Sequence, residues 1–261
     1  MTVRESTAIF STTISWIFGY LTVMPRLTRS LGWVLAVALV LEVGIIDVQA
    51  ARGTTSHFNI ATALDAVLFA AMGAGIGVLW LATVGVFVVL LRQKFSNPPW
   101  GWSLRLGLLI TILGSAGGGL MLRTTPEQAA QHQMHRNVNE NGAHTVGAPD
   151  GGPGLPGVGW STEHGDLRVP HFFGLHGVQV LPFLSWLILL RGHRPTALVF
   201  TAAASYLTFI LILIWQALRG ESIVQPSPAT LTLLGLWLVS TVAAFAISPI
   251  SWRMNPRAAR S

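Results

Sequence analysis

Six stretches of this chain each run for roughly 20 mostly apolar residues, and no other feature narrows the fold as much. A helix rising ~1.5 Å per residue needs about 20 such residues to cross ~30 Å of hydrocarbon. The stretches lie near 31–50, 60–91, 100–122, 170–190, 195–218 and 228–250. A spanning barrel would instead show alternating segments of ~10 residues separated by turns, and the sequence carries no such pattern. The expectation is an all-α, polytopic membrane helix bundle with six transmembrane helices, forming a single membrane domain over 1–261. Composition agrees: 51% of residues are hydrophobic and only 10% are charged, where soluble domains carry about 25% charge.

The net charge of +6 and pI near 11.2 would suit a nucleic-acid partner, but the basic residues sort by loop. Arg4, Arg26, Arg29, Arg92, Lys94, Arg105, Arg191, Arg194, Arg253, Arg257 and Arg260 fall on one side of the six-span arrangement. Arg52, Arg123, Arg136, Arg168 and Arg219 fall on the other, together with Glu127, Glu140, Asp150, Glu163, Asp166 and Glu221. The positive-inside rule then makes both termini cytoplasmic in a bacterial inner (cytoplasmic) membrane. The expected partner is the lipid bilayer, with no nucleic acid. The chain has no Cys, which excludes disulfides, thiolate metal sites and thiol redox chemistry.

Residues 8–24 are apolar but rich in Ser and Thr, and lack the pattern of a cleaved signal peptide. They read as an interfacial or re-entrant helix with Trp16 and Tyr20 at the headgroup level; a seventh span is the alternative. The one long connection, 124–169, falls on the non-cytoplasmic side. Its two Arg, five acids, eight Gly and four Pro give it a net charge of −3 and too little apolar surface for a core of its own. It also holds His132, His135, His144 and His164, and long loops in compact bundles are either functional or disordered. Pro182 inside the fourth span predicts a kink. Gly73/Gly77 and Gly114/Gly118 have the GxxxG spacing of close helix contacts.

Ionisable residues inside a span are costly and face a partner or a water-filled cavity. Here they gather at the non-cytoplasmic ends of the spans. At ~1.5 Å per residue, Glu42 lies ~12 Å below that boundary and Asp47 ~5 Å. Arg52 and His57 follow in RGTTSHFN, then Asp65 early in the second span. The fourth span begins RVPHFFGLHGVQ, with His171 at the rim, His176 deeper and Gln179 three residues on. His176 and Gln179 share a helical face. His171 and His176, five apart, stand ~140° around an ideal helix and converge only if its end is distorted.

Neutral imidazole suits Zn, Cu and Fe, including haem iron. His57, His171 and His176 are therefore the candidate ligands of a metal or haem site. Glu42, Asp47 and Asp65 are candidate acid–base residues or orienters of ligating rings. Arg52, Arg168 and Gln179 are candidate binding residues at the mouth, where Arg suits an anionic headgroup or haem propionates. The bland readings stand beside these. The acids can salt-bridge Arg52 or Arg168, Glu42 can be a neutral structural residue, and His57 can bond a carbonyl. HExxH, GxSxG and Walker A signatures are missing, and the literal GxGxxG at Gly152, Gly154 and Gly157 follows no strand pattern.

RGTTSHFN with Asp65, GDLRVPHFFGLHGVQ (165–179) and DGGPGLP together resemble the signature stretches of a family of bacterial multi-spanning membrane proteins. The resemblance implies a membrane bundle and carries no activity or residue role. Three functions remain open from the residues. One is a metal- or haem-dependent membrane enzyme with a small-molecule or lipid ligand. A second is a proton-coupled transporter or channel, which would need polar groups continuing inward beyond Ser185, Thr201, Ser205, Thr208, Ser240 and Thr241. The third is a non-catalytic membrane subunit whose outer loop docks a partner.

Overall fold

The computed structural model describes residues 17–134, 138–190 and 196–253, with the side chains of 248–253 left out. The fold is all-α: α1 (Pro25–Ala51), α2 (Ala63–Arg92), α3 (Pro98–Gly117), the short α4 (Pro126–Gln133), α5 (Arg168–Leu175), α6 (Gly177–Leu190), α7 (Thr196–Leu218) and α8 (Pro228–Arg253). Five helices are long and apolar enough to cross a membrane, and the pair α5 and α6, bent by 50°, supplies a sixth crossing. The helix starts follow from local chemistry. Thr62 caps α2 by accepting from the Asp65 N–H, and Asn97 caps α3 by accepting from the Trp100 N–H, ahead of a proline in the first turn of α3 that needs no donor partner.

α3 is the central helix, packed against α2, α5, α6 and α7, whereas α1 lies on α2 and α8 on α7. Its Leu104, Leu108, Ser103 and Thr111 are essentially inaccessible. The outer helices keep large apolar side chains exposed, among them Trp33, Val40 and Val239, as contact with lipid requires. Close approach in the centre rests on glycines. A Cβ on Gly174 would stand 2.5 Å from the Gly114 Cα, and one on Gly107 would stand 2.8 Å from the Gly177 carbonyl oxygen. Of the two GxxxG pairs, Gly114/Gly118 packs, Gly118 against the His171 ring, while Gly73 and Gly77 meet nothing within 4 Å.

The fourth span departs from expectation in where it breaks. Pro182 lies buried inside α6, and the bend sits at His176 between α5 and α6. The break frees backbone groups that must be paired in an apolar surround. Thr111 of α3 pairs them, donating its hydroxyl to the Leu175 carbonyl (3.2 Å) and accepting from the Val178 N–H (3.0 Å).

Of the 8–24 segment, residues 17–24 are described. Ile17 and Leu21 are buried in the main cluster with Leu35, Val86 and Leu90, and Tyr20 stands beside the Phe95 and Trp100 rings. The loop 124–169 is more ordered than its composition suggests. Thr125 and Gln128 form a capping box on α4, and Thr145–Val146 pair antiparallel with Gly165–Asp166. Phe58, Met121, Leu167 and Ala217 form a small core beneath the loop.

Candidate functional site

The site lies at the end of the bundle where α1 meets α2 and the long loop covers α3 and α5. Its floor is a buried carboxylate. Asp65, only 3% exposed, accepts from Arg52 Nη1 (2.7 Å), Gln49 Nε2 (3.1 Å) and the Thr62 hydroxyl (2.6 Å). Arg52 also donates to Gln49 Oε1. A carboxylate taken out of water needs this degree of pairing. Asp65 and Arg52 therefore follow the salt-bridge alternative and tie the turn 52–62 to both helices.

That turn carries His57 over the bundle. Asn59 donates to the Thr54 hydroxyl (2.8 Å) and the Thr55 carbonyl (3.1 Å), and Phe58 takes a left-handed φ of 62°. Phe58 and Ile60 exchange backbone bonds with Asn141 and Asn139, which lays the long loop alongside. The result sets the His144 ring edge-on to Phe58 at 4.8 Å and 6.3 Å from the His57 ring. His144 is anchored by Asp150, which accepts from its Nδ1 (2.8 Å), its backbone N–H and the Thr145 N–H. Burial works against the Asp150 charge, but the bonds from His144 and Thr145 prevail and hold the carboxyl well below its usual range.

His171 completes the group. Its Nδ1 lies 2.9 Å from the Gly114 carbonyl, and its ring rests on Gly118, so the α3–α5 glycine contact sets its position. A carbonyl only accepts, and so does an ionised carboxylate, so both His171 and His144 carry their proton on Nδ1 and leave Nε2 as a lone pair. Burial first, then the nearby His144 and His171 imidazoles, push the His57 pKa down from 6.5 to about 4; at neutral pH His57 is uncharged. Ser56 Oγ lies 2.9 Å from its Nδ1. Three histidines from three separate segments thus neighbour one another. Among the described residues, no group of three or more His, Asp or Glu side chains is already arranged to hold a metal ion.

The other candidates sit elsewhere. His176 is at the α5–α6 break, its Nδ1 2.6 Å from the Phe172 carbonyl and its ring stacked on Phe172 at 4.1 Å. None of these contacts joins it to His57, His144 or His171. Gln179 follows on α6. Arg168 is bound to Asp166 (2.6 Å) and the Gly159 carbonyl (2.6 Å), which folds the Gly/Pro segment down rather than leaving the guanidinium at a mouth. Glu42 is half-buried midway along α1, and Asp47 lies a turn and a half nearer the site. His132 is exposed on α4, and His135 falls outside the described residues.

Deeper polar groups bond to each other. Ser205 and Thr241 share a hydrogen bond (2.7 Å), and Trp237 Nε1 donates to the Ser205 carbonyl (2.9 Å), which fixes α7 against α8. Compared with known proteins, the chain matches no family model, no curated protein and no solved structure.

Proposed function

We propose that this protein is a multi-pass inner-membrane protein of bacteria, a single membrane domain with cytoplasmic termini, that binds a transition-metal ion through His57, His144 and His171 on its non-cytoplasmic side. The observation that carries this reading is the pairing of His144 Nδ1 with Asp150 and of His171 Nδ1 with the Gly114 carbonyl. Metal-ligating histidines characteristically donate the other ring N–H to a carboxylate or backbone carbonyl, which fixes the tautomer and raises ligand basicity. The depressed pKa of His57 keeps a third imidazole neutral, the form that ligates. Closing three rings on one ion requires rotation of His57, whose ring is 6.3 Å from that of His144.

Three nitrogen ligands with a fourth position left for water or substrate is the arrangement of catalytic rather than structural zinc. Zn, Cu and Fe all suit imidazole, so a hydrolytic or redox membrane enzyme follows from the reading. The separation of the deeper Ser205–Thr241 pair from the histidines gives the transporter alternative no comparable support.

The test is elemental analysis of protein purified in detergent without chelators, scanning Fe, Cu, Zn and Mn together. Near-stoichiometric metal is expected, reduced at least tenfold in occupancy at limiting metal by His144→Ala or His171→Ala and unchanged by His176→Ala. Metal-free protein, or loss confined to His176→Ala, overturns the assignment.

A further inference from the structure

A cleft of about 240 Å³ opens between α3, α5 and α7, and His171 is one of its walls. Every other lining side chain is apolar or absent, including Leu113, Gly117, Leu207, Leu211 and Ile214. Leu113 and Leu211 are about half exposed, at 49% and 55%, on helices that are long and apolar enough to cross the membrane. The cleft therefore opens sideways into hydrocarbon rather than upward into water. Its volume equals about eight water molecules at ~30 Å³ each, but an apolar cavity does not hold water. It is smaller than the ~300–1,000 Å³ of a site that engulfs its ligand, so it suits part of a lipid-like molecule whose remainder stays in the bilayer.

The charge distribution selects the head. No cation lines the cleft, and Arg52 and Arg168 nearby are bound to Asp65 and Asp166. A phosphate or carboxylate head would enter unpaired, at a heavy desolvation cost. An imidazole with Nδ1 held by Gly114 offers Nε2 as an acceptor, which suits a hydroxyl donor.

From these observations we infer that the cleft admits from the bilayer a single-tailed lipid with an uncharged hydroxyl head, the tail lying between α3 and α7 and the head at His171. This deepens the proposed function by naming its ligand class, and rests on the reading of His171 as a working residue. The cleft is then the lipid-side entrance to the histidine group, and the hydroxyl is the group that meets the fourth position of the ion.

Gly117 supplies the test, because a Cβ there meets nothing within 4 Å and a larger side chain grows into the cleft. Protein reconstituted in phosphatidylcholine vesicles is photolabelled with a diazirine-bearing long-chain alkanol or the matching alkanoic acid at pH 8. Adducts are mapped by tandem mass spectrometry. The alcohol is expected to label the Leu113 and Leu211 regions at least fivefold more than α1 or α8, and the acid is expected to show no such preference. Gly117→Leu, and independently Leu211→Phe at the mouth, should remove the preference while metal content and melting temperature stay unchanged. Uniform labelling of all helices, equal labelling by the acid, or preference surviving both substitutions overturns the inference. Site-selective labelling of a protein that holds no metal leaves the cleft standing and sinks only the metal reading.

Discussion

Replacing Gly114 by Ala is expected to destabilise the bundle and disturb the histidine group together. The added methyl would stand 2.5 Å from the Gly174 carbonyl carbon and 3.1 Å from its oxygen, where non-bonded carbons prefer ~3.5–4.0 Å. Neither partner is the mobile end of a side chain, so α3 and α5 must separate by about 1 Å. Overpacking of this kind costs about 1–3 kcal/mol, and a gap of that width forfeits about a quarter to a half of each displaced contact. The His171 bond to the Gly114 carbonyl, worth about 1 kcal/mol, is stretched in the same movement. A total near 3 kcal/mol corresponds to a fall in melting temperature of about 6–12 °C at ~2–4 °C per kcal/mol. The ten tryptophans provide a fluorescence signal for thermal unfolding in detergent. Gly73→Ala is the control: its Cβ meets nothing, so the gain in helix propensity of about 0.5–1 kcal/mol should leave its Tm level or raised. Equal melting of the two variants would refute the claim that backbone contact between α3 and α5 organises the site.

Thr111→Val keeps the shape but strands the Leu175 carbonyl and Val178 N–H at the helix break, and should cost about 1–3 kcal/mol, read as a lower Tm and faster amide exchange confined to 174–179. Asp150→Asn removes the charge that fixes the His144 tautomer and should lower metal affinity about 10–100-fold, with little change in Tm, measured by competition with a chromogenic chelator. Arg52→Ala leaves Asp65 without its cation; a loss of about 1.5–3 kcal/mol is expected, and adding Asp65→Asn should recover part of it in a double-mutant cycle of thermal unfolding. In metal-free protein, His57 is neutral when folded down to about pH 4 but takes up a proton near pH 6.5 when unfolded. The unfolded state therefore binds the extra proton between those values, and stability falls as pH drops through that window, by at most about 3 kcal/mol. His57→Gln should flatten the slope of Tm between pH 7 and pH 4.5; an unchanged slope would assign it to other groups.

The six crossings were legible because lipid leaves the backbone no choice but internal pairing, so length and apolarity alone locate the helices. Their ends were displaced where capping chemistry decides, as at Thr62 and Asn97. The break in the fourth span was misplaced because a proline is visible in sequence and a bonding partner is not. Pro182 lacks its own N–H and lies within a continuous helix, whereas the chain breaks at His176, beside the threonine on α3 that accepts and donates to the opened backbone. No inspection of residues 168–190 alone could reveal Thr111.

The site divides along the same line. Asp65 and Arg52 stood out because ionisable groups near hydrocarbon are rare, and their pairing was one of the two readings open to them. His176 stood out for the same reason but bonds the last turn of its own helix, a local contact that spacing within the helix cannot distinguish from ligation. His144 carried a weaker signal, being one of four histidines in a Gly-rich loop, since distinguishing it requires knowing that the loop folds back. The only local mark was Asp150 six residues on, across a turn tight enough for its carboxylate to reach both the ring and the backbone N–H of His144. Two of the three clustered histidines hang on segments whose position depends on pairing between 58–60 and 139–141, and the third on glycine contact between α3 and α5. A site assembled this way exists only after the loop has closed over the bundle. Ligand binding to all three histidines must therefore stabilise loop closure, so bound metal should protect residues 139–146 from amide exchange more than it protects α1 or α8.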